Sequence, residues 1–143
     1  MLVALVIGVL RETKERSPAG ILRALNHALL PNAGNGFVTC CCVRFLDNGS
    51  VLAANAGNPQ PYCDGVEVEL ESGLPLGITA DAEYVESTVL GESLTFVSDG
   101  VLEAQNSKGE LFGFERTGAS AEVRQRRSPM PPWHGDRMMT LPW

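Results

Sequence analysis

The chain has 143 residues, 44% of them hydrophobic and 20% charged, a composition ordinary for a globular protein and a length sufficient for one domain with its own core, not two. Its formal net charge of −6 argues against nucleic acid as a partner bound by bulk electrostatics. Between Asp47 and Glu115 stand 13 acidic residues and one basic residue, Lys108, whereas the chain from Arg116 onward carries five arginines.

The first ten residues are apolar apart from Gly8. A bilayer span needs about 20 residues, and a signal peptide would put its basic residues before the apolar run, whereas Arg11, Glu12 and Lys14 follow it. No membrane association is expected. Residues 1–15 read as a helix, the middle of a core helix whose preceding chain is absent. Ser17-Pro18 is a helix start, with Ser17 as N-cap and Pro18 at the first helical position. The helix that follows, over 19–30, carries Ile21, Leu22, Leu25, Ala28, Leu29 and Leu30 on one stripe, with Asn26 and His27 off its centre. The run from Pro31 to Gly36 stops it.

At Phe37 the period changes to that of β-structure. Strands are expected at 37–43 and 51–55, joined through Asp47-Asn48-Gly49. A second hairpin is expected around Asp64-Gly65, and a third pair, 85–89 with 94–97, around Leu90-Gly91-Glu92. Helices followed by hairpins make an α+β pattern, with helices on a sheet face. Residues 117–127 suit a short helix, which Pro129, Pro131 and Pro132 prevent from extending. Cys40, Cys41 and Cys42 are consecutive, and no C-x-x-C spacing occurs, so the four cysteines read as small buried hydrophobes in a reducing cytoplasm rather than a zinc site or a disulfide framework.

The segment Leu94-Thr95-Phe96-Val97-Ser98-Asp99-Gly100 reads as a buried strand that ends on a carboxylate followed by glycine. That placement suits a ligand for a hard cation such as Mg²⁺ or Mn²⁺, with Gly100 allowing close approach. An ordinary Asp-Gly turn is the competing reading. Glu103 reads as a solvated side chain. Asn55-Ala56-Gly57-Asn58-Pro59-Gln60-Pro61 and Leu74-Pro75-Leu76-Gly77-Ile78 read as turn and packing segments without an evident nucleophile or base.

Taken in order and at this spacing, the segments resemble the SpoIIE-like branch of the metal-dependent serine/threonine protein phosphatases. The resemblance runs from Met1 to about Glu115 as a partial phosphatase domain, with 116–143 a divergent or disordered segment. It rests on Ser17-Pro18 with Leu25-Asn26, Phe37-Val38-Thr39, Asn55-Ala56-Gly57, Gly73-Leu74-Pro75-Leu76-Gly77, Ser98-Asp99-Gly100-Val101 with Glu103-Ala104, and Gly109-Glu110-Leu111-Phe112-Gly113. Asn58 stands where the family usually has His. The resemblance implies part of an α-β-β-α sandwich, two antiparallel sheets flanked by helices. It implies a centre of two Mn²⁺ or Mg²⁺ ions that activates a bridging water, with no side-chain nucleophile. Asp99 matches the family's strand-end metal ligand. Asp136, in Gly135-Asp136-Arg137-Met138-Met139-Thr140, is the candidate for the C-terminal Asp-Asp-x-Thr ligand, with one Asp instead of two and one extra residue before Thr140.

The family's first ligands, an Asp and a Gly carbonyl, lie on strands before the helix with which this chain begins. Weak metal binding and slow turnover are therefore expected. The implied substrate is a phosphoserine or phosphothreonine protein of bacterial sigma-factor partner switching, such as an anti-anti-sigma factor; a second copy of the chain is a further candidate partner. Two other readings stand beside the enzyme: a non-catalytic remnant that binds a phosphoprotein or a sister domain, and a shortened gene product frameshifted near Thr117.

Overall fold

The computed structural model describes residues 2–32, 34 and 36–127. They form four helices and seven strands in the order α1 (Leu2–Glu12), α2 (Pro18–Leu29), β1 (Cys40–Phe45), β2 (Val51–Ala56), β3 (Tyr62–Cys63), β4 (Val66–Glu67), β5 (Ser72–Gly73), β6 (Ser87–Val89), β7 (Leu94–Thr95), α3 (Asp99–Leu102) and α4 (Gly113–Arg127). The class is α+β, as expected. The chain divides into two compact units, each a sheet with helices on it.

The first unit contains α1, α2 and the sheet β1-β2-β5, with β6 also paired to β2. Ser17 caps α2 in extended conformation (φ −78°, ψ 127°), its Oγ accepting from the Gly20 N–H at 3.1 Å. Glu86 completes the cap: its Oε1 accepts from Ser17 Oγ at 2.5 Å and from the Ala19 N–H at 3.1 Å, so helix-start donors left without intrahelical partners are satisfied. Leu22, Leu25 and Leu29 recur at helical spacing and are fully buried against Ala54, Ala56, Leu76 and Tyr84. The alanines of β2 let α2 approach closely. No residue of α1 is fully buried; Leu5, Val6 and Val9 pack on this core, while Val3 and Ile7 are exposed.

β1 and β2 are antiparallel from Cys40↔Ala56 to Phe45↔Val51, closed by the Asp47-Asn48-Gly49 turn with Gly49 at φ 81°, a left-handed conformation that suits glycine. Asn48 Oδ1 accepts from both the N–H and the hydroxyl of Ser50. β1 starts three residues later than expected because Val38 pairs instead with Leu76, through N–H···O bonds of 3.0 and 2.8 Å. The β2–β5 pairing is parallel, Asn55↔Ser72 and Ala56↔Gly73, a pairing that hairpin reasoning does not anticipate.

In the second unit β3 is the centre of the order β4-β3-β7. Asp64 (φ 52°) and Gly65 (φ 82°) form the two-residue turn between β3 and β4, both in the positive-φ region such tight hairpins require. The Asp64 carboxylate accepts from the backbone N–H groups of Ser93 at 2.9 Å and Glu92 at 3.2 Å, which brings β7 alongside β3. β6 and β7 do not pair with one another as the sequence suggested; they belong to different sheets, because Asp64 captures the 92–93 backbone that a Leu90-Gly91-Glu92 hairpin would have used. α4 starts at Gly113, four residues before the expected helix start, and packs on β4, with Thr117 and Ala121 buried.

Candidate functional site

Asp99 does not end a strand. Only Leu94 and Thr95 pair with β3, which is itself two residues long, so the ladder runs out before Phe96 although the apolar run continues. Residues 94–97 are half-buried, not buried as expected. Ser98 then adopts the extended conformation of an N-cap (φ −99°, ψ 163°), and Asp99 opens the four-residue α3. The Asp99 carbonyl accepts from the Glu103 N–H at 2.8 Å, so the Asp99–Glu103 spacing is one helical turn. Asp99 and Glu103 are both exposed. Among protein atoms, a Cβ at Gly100 would meet only Ser98 Oγ, at the ordinary distance of 3.7 Å. Asp136 lies outside the described residues, as do the prolines after Arg127. Among the described residues, no group of three or more His, Cys, Asp or Glu side chains is placed to hold a metal ion.

Three of the other motif segments do meet. Asn26, expected off the centre of the apolar stripe of α2, is 1% exposed; its Nδ2 donates to the Thr79 carbonyl and its Oδ1 accepts from the Gly77 N–H, both at 2.8 Å. Asn55 is fully buried and closes its own turn, accepting from the Asn58 N–H at 2.9 Å and donating to the Asn58 carbonyl at 2.8 Å. Gly57, at φ 72°, faces Pro75 so closely that a Cβ would lie 2.6 Å from Pro75 Cγ. Gly73 lies against the Glu83 carbonyl and the Tyr84 ring, where a Cβ would come within 2.6 and 2.7 Å. Leu25-Asn26, Asn55-Ala56-Gly57 and Gly73–Gly77 are thus one connected structure. The amide groups of Asn26 and Asn55 are used to fix backbone, which leaves them no evident reactive role. Helical spacing sets Asn26 four residues after Leu22 and three before Leu29, beside buried leucines, and that was the available signal; its partners, some 50 residues away, were not legible.

The thiols are poor nucleophiles. Burial pushes Cys40 up to about 11 and Cys41 and Cys42 up to about 12, with Cys40 adding to the rise at the other two. Burial, and then the neighbouring Asp64, raises Cys63. All four are free cysteines; Cys63 is buried as expected, whereas Cys40, Cys41 and Cys42 are only half-buried.

The family model described as Stage II sporulation protein E (SpoIIE) matches residues 1–132. An α+β architecture carrying that match along most of its length defines a protein of phosphatase lineage. The chain belongs to the SpoIIE family. No curated protein and no solved structure matches it. No helix among the described residues is long and apolar enough to cross a membrane.

Proposed function

We propose that the chain acts as a metal-dependent protein phosphatase domain, removing phosphate from phosphoserine or phosphothreonine on a cytoplasmic regulatory protein of the partner-switching type. The observation that carries this reading is the family match over residues 1–132, which includes the Ser98-Asp99-Gly100-Val101 segment. In this reading Asp99 and Asp136 are ligands for Mn²⁺ or Mg²⁺, ions that bind oxygen donors and, in pairs, activate water and clamp a phosphoryl group. The exposure of Asp99 leaves its carboxylate open to solvent and to a cation. One carboxylate falls well short of the roughly six oxygens such an ion takes, so the described residues do not fit a two-ion centre by themselves, and no catalytic step is derived through one.

That shortfall favours a second reading, a phosphoprotein-binding module without turnover. Phosphate release from p-nitrophenyl phosphate and from a serine-phosphorylated anti-anti-sigma factor, with and without Mn²⁺, separates the two. Mn²⁺-dependent release that is lost in Asp99→Asn supports the enzyme. Binding of the phosphoprotein without release supports the module. Release that survives Asp99→Asn overturns the ligand assignment, and neither release nor binding overturns both readings.

A further inference from the structure

We propose that Asn48 is a modification site gated by the fold: its carboxamide is deamidated through a succinimide when the β1–β2 hairpin opens and is shielded while the hairpin is closed. In Asn48-Gly49 the following amide nitrogen is unhindered, because glycine carries no Cβ. Both residues are exposed, so water reaches the turn, and a Cβ built at Gly49 would meet nothing within 4 Å. In the reaction the Gly49 nitrogen gives up its proton and bonds to Asn48 Cγ. The Cγ–Nδ2 bond breaks, and Nδ2 leaves with that proton as ammonia. Water then opens the five-membered ring at either carbonyl. One product is aspartate; the other is isoaspartate, in which the main chain runs through the former side-chain carbon.

In the closed hairpin both reacting groups are engaged elsewhere. The Gly49 N–H donates to the Leu46 carbonyl at 3.0 Å. Asn48 Oδ1 accepts from the Ser50 N–H at 3.0 Å and from the Ser50 hydroxyl at 2.6 Å, and Ser50 itself is buried. Deprotonating the Gly49 nitrogen forfeits its bond to Leu46, and bringing Cγ onto that nitrogen turns a carboxamide whose oxygen Ser50 holds at two points. Opening of the turn therefore precedes the chemistry. Local openings of this kind cost less than global unfolding, so the site is reached in a chain that is otherwise folded.

The isoaspartate product makes the opening irreversible. It adds one carbon to the main chain between Leu46 and Ser50, which the Leu46 N–H···O bond of 2.9 Å closes. Turn length sets hairpin register, and the ladder begins at Phe45↔Val51, immediately outside this turn. The strand so displaced carries Ala54 and Ala56 of the core. Ordinary aspartate keeps the length of the main chain and an acceptor for Ser50, so the two products differ in their effect on the fold although both add one negative charge.

The test is independent of phosphatase activity. The full 143-residue chain is incubated in mildly alkaline buffer, with and without guanidinium chloride. Peptide mass spectrometry follows deamidation at Asn48, and enzymatic methylation reads isoaspartate. The expected result is a rate at least about tenfold lower in the folded chain, equivalent to an opening cost of roughly 1.4 kcal/mol. Ser50→Ala removes one of the two bonds to Oδ1 and should speed the folded reaction about threefold or more, the worth of one hydrogen bond, in step with hydrogen exchange at the Gly49 amide. The isoaspartate fraction, separated by chromatography, should unfold at lower urea than wild type, whereas Asn48→Asp should not. Equal rates in folded and denatured chain, a Ser50→Ala chain no faster than wild type, or an isoaspartate fraction with the wild-type midpoint overturns the proposal. A folded rate above the denatured one also overturns it, and makes the two Ser50 donors stabilisers of the oxyanion on Oδ1 rather than a lock.

Discussion

Replacing Asn26 with alanine should be among the most damaging single changes available on α2 outside its leucines. The side chain is 1% exposed and serves two backbone groups of one loop, the Gly77 N–H and the Thr79 carbonyl, each at 2.8 Å. Truncation leaves both without their partner, at about 1–3 kcal/mol each, so a loss of roughly 2–6 kcal/mol is expected against a total stability of about 5–15 kcal/mol for a typical domain. Asn26→Leu separates the causes. It keeps the branched shape and the number of heavy atoms but neither hydrogen bond, so if pairing dominates, it should be nearly as damaging as alanine. Urea unfolding followed by far-UV circular dichroism gives the energies, and amide hydrogen exchange at Gly77 gives the local consequence. Gly77 should lose protection in both variants, beyond what the global loss of stability accounts for. An alanine variant within about 0.5 kcal/mol of wild type, or an Asn26→Leu variant as stable as wild type, would refute the hydrogen-bond account of this residue.

Tyr84→Phe should be neutral or slightly stabilising in the same urea assay, because the buried Tyr84 hydroxyl has no hydrogen-bond partner among the described residues and its removal spares a desolvation cost; a loss above about 1 kcal/mol would mean the hydroxyl is paired in solution. Gly57→Ala should cost at least about 1–2 kcal/mol, since φ 72° disfavours a side chain and Pro75 occupies its space; a wild-type urea midpoint would contradict both points. Cys40, Cys41 and Cys42 should resist iodoacetamide at pH 8 in the folded protein and react readily in urea, because burial holds them at about 11–12 against an ordinary 9.0. The folded thiols keep their protons longer than the unfolded ones, so their contribution to stability is complete below about pH 9 and is lost as pH rises through 11–12. Urea midpoints measured across that range should fall, and a flat profile would show that these half-buried thiols are not desolvated enough to shift.

Local signals were readable in the sequence where the interaction that fixes them is itself local. Ser17-Pro18 gave the start of α2 because an N-cap reaches only two or three residues ahead, and Asp64-Gly65 gave its hairpin because two adjacent positive φ angles admit few residue pairs. The third hairpin failed for the opposite reason. Leu90-Gly91-Glu92 resembles a turn, but the Asp64 carboxylate, 28 and 29 residues earlier in the chain, binds the amides of Glu92 and Ser93 and sends the following strand to β3. The strand leading to Asp99 was overextended likewise: the apolar run through Val97 suits a strand, but the length of a ladder is set by its partner, and β3 offers two residues.

The motifs that carry the resemblance divide unequally between shape and chemistry. Asn26 and Asn55 are accounted for by hydrogen bonds to loop backbone, Gly57 and Gly77 by positive φ (72° and 88°), and Gly57 and Gly73 by neighbours that leave no room for a side chain. Replacing any of them would damage the fold before it touched a reaction. Asp99 is the reverse case: it is exposed, its carbonyl alone takes part in the helical turn to Glu103, and its neighbour Gly100 sits without crowding. Nothing in the described packing requires an aspartate rather than an asparagine or serine at that position. The scaffold residues thus account for most of the resembling motifs, and among the described residues the case for catalysis rests on Asp99, a carboxylate that the described packing does not need. A charge-removing substitution such as Asp99→Asn can consequently test the chemistry without testing the fold, a separation that none of the buried motif residues offers.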